Sequence, residues 1–172
     1  MDADRTDTPQ GARPRLHRTA RAQQQVRLRE PGSAPSDRPY VLFVCVHNAG
    51  RSRMAEALFN HMARGRYRAL SAGTEPADRP HREVLAAMAE VGIDIPDTAG
   101  TKLTQELADG AERVVGMGCA VEEACPALKV PLDNWELEDP KGQSPEKVAE
   151  IRDTIERRVR NLIGDLERDD GK

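Results

Sequence analysis

A chain of 172 residues with 38% hydrophobic content can bury one core, so one folded domain is the expectation. No apolar run approaches the roughly 18 residues that cross a bilayer, and the first residues form no apolar signal segment, which predicts a cytoplasmic protein. Three cysteines argue against a disulfide framework and for catalytic, redox or metal roles, while an aromatic share of 3% leaves little to wall a slot for an aromatic substrate.

The net charge of −3 is divided unevenly, because residues 1–38 hold eight arginines against five acids. This stretch lacks hydrophobic periodicity and contains Pro9, Pro14, Pro31, Pro35 and the run Gln23-Gln24-Gln25. It reads as a disordered or weakly helical basic arm. Its arginines are scattered, with no interleaved aromatics and no nucleic-acid motif. The catalytic domain is expected at 39–172.

From Tyr40 onward short strands alternate with helices, the pattern of a parallel sheet covered on both faces in an α/β fold. Residues 40–45 form the first apolar strand. Met54, Ala55, Leu58, Phe59 and Met62 recur at helical spacing through about residue 64, with Gly65 as the stop. Tyr67 to Ser71 reads as a second strand that runs into the turn Ala72-Gly73-Thr74. Val84, Leu85, Met88 and Val91 stripe a second helix ending at Gly92. Thr104 to Asp109 predicts a short helix, Arg113 to Met117 a third strand, and Leu128 to Pro131 a further one. Val148, Ile151, Ile155, Val159, Leu162 and Leu166 give the last helix a continuous apolar face. In such sheets ligands bind beyond the carboxyl ends of the strands, where Cys45 and the segment after Met117 both fall.

Cys45 closes the first strand, Arg51 follows six positions later, and Ser52 opens the helix. Backbone N–H groups in a short loop entering a helix lack intrahelical partners, and the helix dipole adds positive character at the same point. Val46, His47, Asn48, Ala49, Gly50, Arg51 and Ser52 thus predict a cradle for a tetrahedral oxyanion with a thiol at its floor. The same field favours a nucleophilic thiolate, and Arg51 adds a planar fork of donors. Ser52 can cap the helix or donate to the Cys45 sulfur. The bland alternative is a buried free cysteine ending a core strand. Asn48 tolerates left-handed backbone angles and so shapes the loop, while His47 reads as a solvent-facing loop residue. His61 and His81 sit on helix surfaces and suggest no role.

Asp139-Pro140 follows Trp135 in a loop that should end near the same sheet edge. Asp139 can protonate a departing oxygen, or it can be an ordinary turn residue before proline. Cys119 and Cys125 lie six apart without a nearby histidine, which does not make a zinc site. Six residues of regular helix climb about 9 Å, beyond the 4.4 to about 6.8 Å between Cα atoms that a disulfide spans. A redox pair therefore needs this segment to bend, which Gly116, Gly118 and Pro126 favour; packing cysteines under a loop are the alternative.

The stretch from Val41 to Glu56 resembles the low-molecular-weight tyrosine phosphatase superfamily, and more closely its arsenate reductase branch. Ser71-Ala72-Gly73-Thr74, Val91-Gly92-Ile93, Met117-Gly118-Cys119 with Cys125-Pro126, and Asp139-Pro140-Lys141-Gly142 are similar to its landmarks in the same order. The resemblance spans residues 40 to about 166. It implies a single three-layer domain with a four-stranded parallel sheet, and reduction of arsenate to arsenite. By analogy Cys45 attacks arsenate held by the loop amides and Arg51, Asp139 protonates the leaving hydroxyl, Cys119 attacks the Cys45 sulfur, and Cys125 resolves the resulting disulfide. No bound cofactor or metal is implied, only an external thiol reductant such as thioredoxin. In some relatives mycothiol, with mycoredoxin, attacks the arsenic adduct instead, and Cys119 and Cys125 are then bystanders. Phosphomonoester hydrolysis in the same pocket is the alternative activity, and an anion-binding module without turnover a third reading. Gly50 stands where the phosphatase branch usually has a second cysteine, and Lys141 where it has an aromatic.

Overall fold

The computed structural model describes residues 39–172; the basic arm expected at 1–38 lies outside the described residues. In chain order the elements are β1 (Val41–Cys45), α1 (Arg51–Ala63), β2 (Ala69–Gly73), α2 (Arg82–Glu90), α3 (Gln105–Asp109), β3 (Arg113–Gly116), α4 (Val121–Ala124), β4 (Leu132–Asn134) and α5 (Pro145–Asp170). The four strands form one parallel sheet in the order β2-β1-β3-β4. The expected three-layer α/β arrangement is the one observed.

β1 explains the layering. Side chains alternate across a strand, so Val41, Phe43 and Cys45 enter the core beneath α1, α2 and α5, whereas Leu42 and Val44 join the opposite core with Leu103, Ala108, Val121 and Cys125. A strand buried on both faces must be apolar throughout, as β1 is. α5 starts at Ser144, whose hydroxyl accepts from the Lys147 amide, with Pro145 in the first turn. All six stripe residues predicted for α5 are buried, and Ile163 joins them. Buried Arg152 ties α5 to α2 by donating to the Ala87 carbonyl at 2.7 Å and to Glu90 at 3.1 Å. Among the described residues no helix is long and apolar enough to cross a membrane.

Two strands differ from their sequence positions. β2 begins two residues late, in register Val41 with Ala69 through Cys45 with Gly73, because its small residues fit beneath α1. Tyr67 stays outside and donates its hydroxyl to Asp170. β4 is Leu132–Asn134, not the segment at Leu128 to Pro131. Pro131 contributes only its carbonyl, which accepts from the Val114 amide, and Asp133 pairs with Arg113 at 3.1 Å. Leu128 and Val130 instead pack as loop residues against the Leu42 and Val44 core. At the end of α1, Arg64 already takes the left-handed conformation with φ 50°, one residue before Gly65.

Candidate active site

β1 pairs with β2 on one side and β3 on the other, so Cys45 ends at the point where the chain switches direction across the sheet. The loop after it is shaped by its carbonyls. The amides of Thr74, Glu75, Ala77 and His81 donate to the carbonyls of Cys45, Val46, His47 and Ala49 at 3.2, 2.8, 2.8 and 2.9 Å. The Asn48 carbonyl accepts from Arg53 Nε at 2.9 Å, and that of Gly50 from the Met54 amide at 3.0 Å. A trans peptide sets its N–H opposite its C=O. Committing six successive carbonyls outward therefore turns the amides of Val46, His47, Asn48, Ala49, Gly50 and Arg51 away from those partners. The Asn48 amide shows the result, since it donates to Cys45 Sγ at 3.2 Å.

Asn48 carries the bend with φ 49°. Its Oδ1 accepts from the Thr101 amide and its Nδ2 donates to Ser52 Oγ, both at 2.8 Å. Ser52 Oγ accepts from Asn48 and also lies 2.9 Å from Cys45 Sγ, a contact in which either atom can donate. The Asn48 amide and the Ser52 hydroxyl thus both meet one buried sulfur.

Arg51 is the first residue of α1, and its Nη1 donates to the Leu137 carbonyl at 3.1 Å while Nη2 lies 4.0 Å from Asp139 Oδ2. The guanidinium passes so close to Gly118 that a Cβ there would stand 2.4 Å from Nη1, and Gly118 itself has φ +79°. Only glycine satisfies both conditions. Asp139 Oδ1 accepts from the Lys141 amide at 3.0 Å, the turn geometry expected of Asp-Pro. Its other oxygen faces the arginine, and about half its side chain is exposed. Pro140 and the His81 ring press against Gly50, where a Cβ would meet Pro140 Cγ at 2.9 Å. The turn is tied to α2 by the Gly142 amide, which donates to Glu83 at 2.6 Å.

Cys119 follows the Gly118 bend and donates its thiol to the Val44 carbonyl at 3.3 Å, one residue from Cys45. Burial raises its pKa, and the neighbouring Cys45 sulfur adds to that while Arg51 opposes it. Cys125 caps the far end of α4, a single turn, and is buried in the core around Val121 and Val44. Burial raises its pKa as well. All three cysteines are free thiols. The structure thus joins Cys45, Asn48, Arg51, Ser52, Cys119 and Asp139, and sets Cys125 behind α4.

The His47 ring turns outward to the Glu75 carbonyl, 3.0 Å from Nδ1. His81 was expected on a helix surface; it instead caps α2, donates its amide to the Ala49 carbonyl and is half-buried beside the loop. Burial lowers its pKa, countered by Glu83 and Asp139. Arg53 was not singled out from the sequence at all, and it is buried beneath the loop. A cation in the first turn opposes the helix dipole, which is the one signal that Arg53 must have strong partners. No group of three or more His, Cys, Asp or Glu among the described residues is arranged to hold a metal.

The model of the low molecular weight phosphotyrosine protein phosphatase family matches residues 40–172. The chain belongs to this family. Among curated members, a Halobacterium salinarum protein assigned as an arsenate reductase is 38% identical over 133 residues, covering 74% of this chain and 93% of that protein. A glutaredoxin arsenate reductase of Synechocystis is 35% identical over 128 residues, covering 73% and 97%. Among solved structures, a thioredoxin-dependent arsenate reductase of Corynebacterium glutamicum superposes with a TM-score of 0.66 at 36% identity. That match covers 78% of this chain and 64% of the Corynebacterium chain.

Proposed function

We propose that this phosphatase-family protein is an arsenate reductase whose nucleophile is Cys45. The observation that carries the reading is the loop whose six carbonyls are all committed outward, leaving amides and Arg51 around a sulfur that receives the Asn48 amide and contacts the Ser52 hydroxyl. Arsenate and phosphate share one tetrahedral shape and charge, so the cradle suits both. Cys119 near Cys45, and Cys125 behind α4, supply two further thiols that phosphate chemistry does not need.

In the proposed sequence the Cys45 thiolate attacks arsenic and a hydroxide departs, taking a proton from Asp139 to leave as water. The Cys119 sulfur then attacks Cys45 Sγ. The S–As bond breaks, its electron pair passes to arsenic, arsenite leaves, and a Cys45–Cys119 disulfide remains. Cys125 attacks Cys119, freeing Cys45 and leaving a Cys119–Cys125 disulfide. Two thiols lose two electrons, and arsenic gains two. An external thiol reductant, of the thioredoxin kind, returns Cys119 and Cys125 to thiols. Cys125 must leave its buried position, which the single turn of α4 and the Gly118 bend allow.

Phosphotyrosine hydrolysis in the same cradle is the second reading, favoured by the family's description. The described aromatics oppose it. Phe43, Phe59 and Tyr40 are buried, Tyr67 pairs with Asp170, and Trp135 packs on Phe43 with centroids 5.6 Å apart. Turnover of arsenate with thioredoxin and its reductase, lost in Cys45→Ser and in Cys119→Ser, is the expected result. Hydrolysis of an aryl phosphate untouched by Cys119→Ser would favour the phosphatase, and dependence on mycothiol with Cys119→Ser active would remove the relay.

A further inference from the structure

Two arginines sit two residues apart at the start of α1 and point to different tasks. Successive helical residues turn by about 100°, so Arg53 emerges nearly opposite Arg51 and beneath the loop. Its side chain finds an acceptor for each of five N–H donors: Nε to the Asn48 carbonyl at 2.9 Å, Nη1 to the Pro96 carbonyl at 3.2 Å and Thr98 Oγ1 at 3.3 Å, and Nη2 to the Thr98 and Ala99 carbonyls at 2.7 and 2.8 Å. The residue is 8% exposed.

We propose that Arg53 is a positioning residue for the oxyanion cradle, clamping the Asn48 carbonyl to the segment at 96–99 so that the Asn48–Ala49 peptide keeps its donor turned toward the anion. This inference rests on the reading of the loop as an oxyanion site. Of the six outward carbonyls, five are held by backbone amides, and only the one at Asn48 depends on a side chain. That carbonyl belongs to the residue with the left-handed backbone, whose N–H meets Cys45 Sγ and whose side chain meets Ser52 and Thr101. Releasing it frees the Asn48–Ala49 peptide to rotate, and the Ala49 amide then leaves the cradle. Arg51 binds the anion, and Arg53 holds the loop that binds it. A lysine cannot replace the clamp, since one nitrogen with three donors cannot span Asn48 on one side and Thr98 and Ala99 on the other.

The test uses the full chain, with phosphate protection of Cys45 against iodoacetamide as the readout, measured well below the unfolding midpoint. Protection of the wild type establishes the cradle; no protection there would sink the oxyanion reading itself. Given that protection, Arg53→Lys should weaken phosphate binding roughly tenfold or more, the size of one lost hydrogen bond to a charged group, and Arg53→Met further. Arg152→Met serves as the control, because it removes another buried arginine with carbonyl and carboxylate partners between α5 and α2, away from the loop. It should lower the unfolding midpoint and leave phosphate protection unchanged. Arg53 variants that lose stability but bind phosphate as the wild type does would overturn the proposal, as would an Arg152→Met variant that weakens binding equally. Should Arg53→Met fail to fold, Arg53→Lys alone decides between these outcomes.

Discussion

Gly118→Ala perturbs the site without touching any proposed reacting atom. Its first cost is conformational: a left-handed φ of +79° disfavours alanine by about 1 kcal/mol or more, which lowers the unfolding midpoint by roughly 3–6 °C for a domain of this size. Its second cost falls on Arg51. The new Cβ would stand 2.4 Å from Nη1, and since backbone at 118 is fixed by the Met117 amide on the Val44 carbonyl, the guanidinium must move. It then loses its anchor on the Leu137 carbonyl and its alignment with the oxyanion. A hydrogen bond to a charged group contributes about 1.5–3 kcal/mol, so kcat/KM for arsenate should fall roughly 10- to 150-fold. An assay following NADPH oxidation through thioredoxin reductase and thioredoxin measures that loss, and phosphate protection of Cys45 from alkylation separates it from any effect on adjacent Cys119. A variant with the expected loss of stability but arsenate turnover and phosphate protection within about twofold of the wild type would refute the placement of Arg51, because a displaced fork must cost at least one such hydrogen bond.

Other perturbations address one step each. Cys119→Ser should abolish thioredoxin-linked turnover yet leave phosphate protection of Cys45 intact, and Cys125→Ser should accumulate a Cys45–Cys119 disulfide visible by peptide mass mapping. Asp139→Asn should slow turnover roughly a hundredfold or more by removing the acid, with phosphate protection little changed; a rate near that of the wild type would assign the proton to another group. Burial lowers the His81 pKa from its ordinary 6.5, with Glu83 and Asp139 opposing. A lowered histidine means the unfolded chain binds the proton more readily, so its share of stability is present above pH 6.5 and is lost as pH falls through the folded value. Chemical denaturation of His81→Gln should therefore show a flatter decline of stability below that pH than the wild type shows.

The elements that sequence reading placed well are those whose packing imposes a period. β1 is apolar at every position because both faces are buried, and α5 repeats its stripe over many turns. The place of Cys45 at the loop's floor, of Arg51 at the helix start, the Ser52 contact and the bend at Asn48 were legible for the same local reason: strand, loop and helix N-terminus are contiguous in the chain. What failed depends on partners distant in sequence. β4 consists of Leu132, Asp133 and Asn134, two of them poor strand formers, and exists through pairing with β3 and the Arg113–Asp133 contact. α4 is too short to show a period. His81 reaches the loop because residues 74–81 fold back along it, and Arg53 finds four of its five acceptors more than forty residues away at 96–99. Neither arrangement has a local signature beyond the misplaced charge of Arg53 in a helix's first turn.

Mixing the reduced full chain with excess arsenate anaerobically, with no added thiol, and then counting arsenite, free thiols and disulfide-linked peptides tests the account most directly. One arsenite per chain, loss of two of the three described thiols, and a Cys119–Cys125 peptide pair are the predicted outcome, all absent in Cys45→Ser. No arsenite and three intact thiols, under conditions where phosphate still shields Cys45, would contradict it.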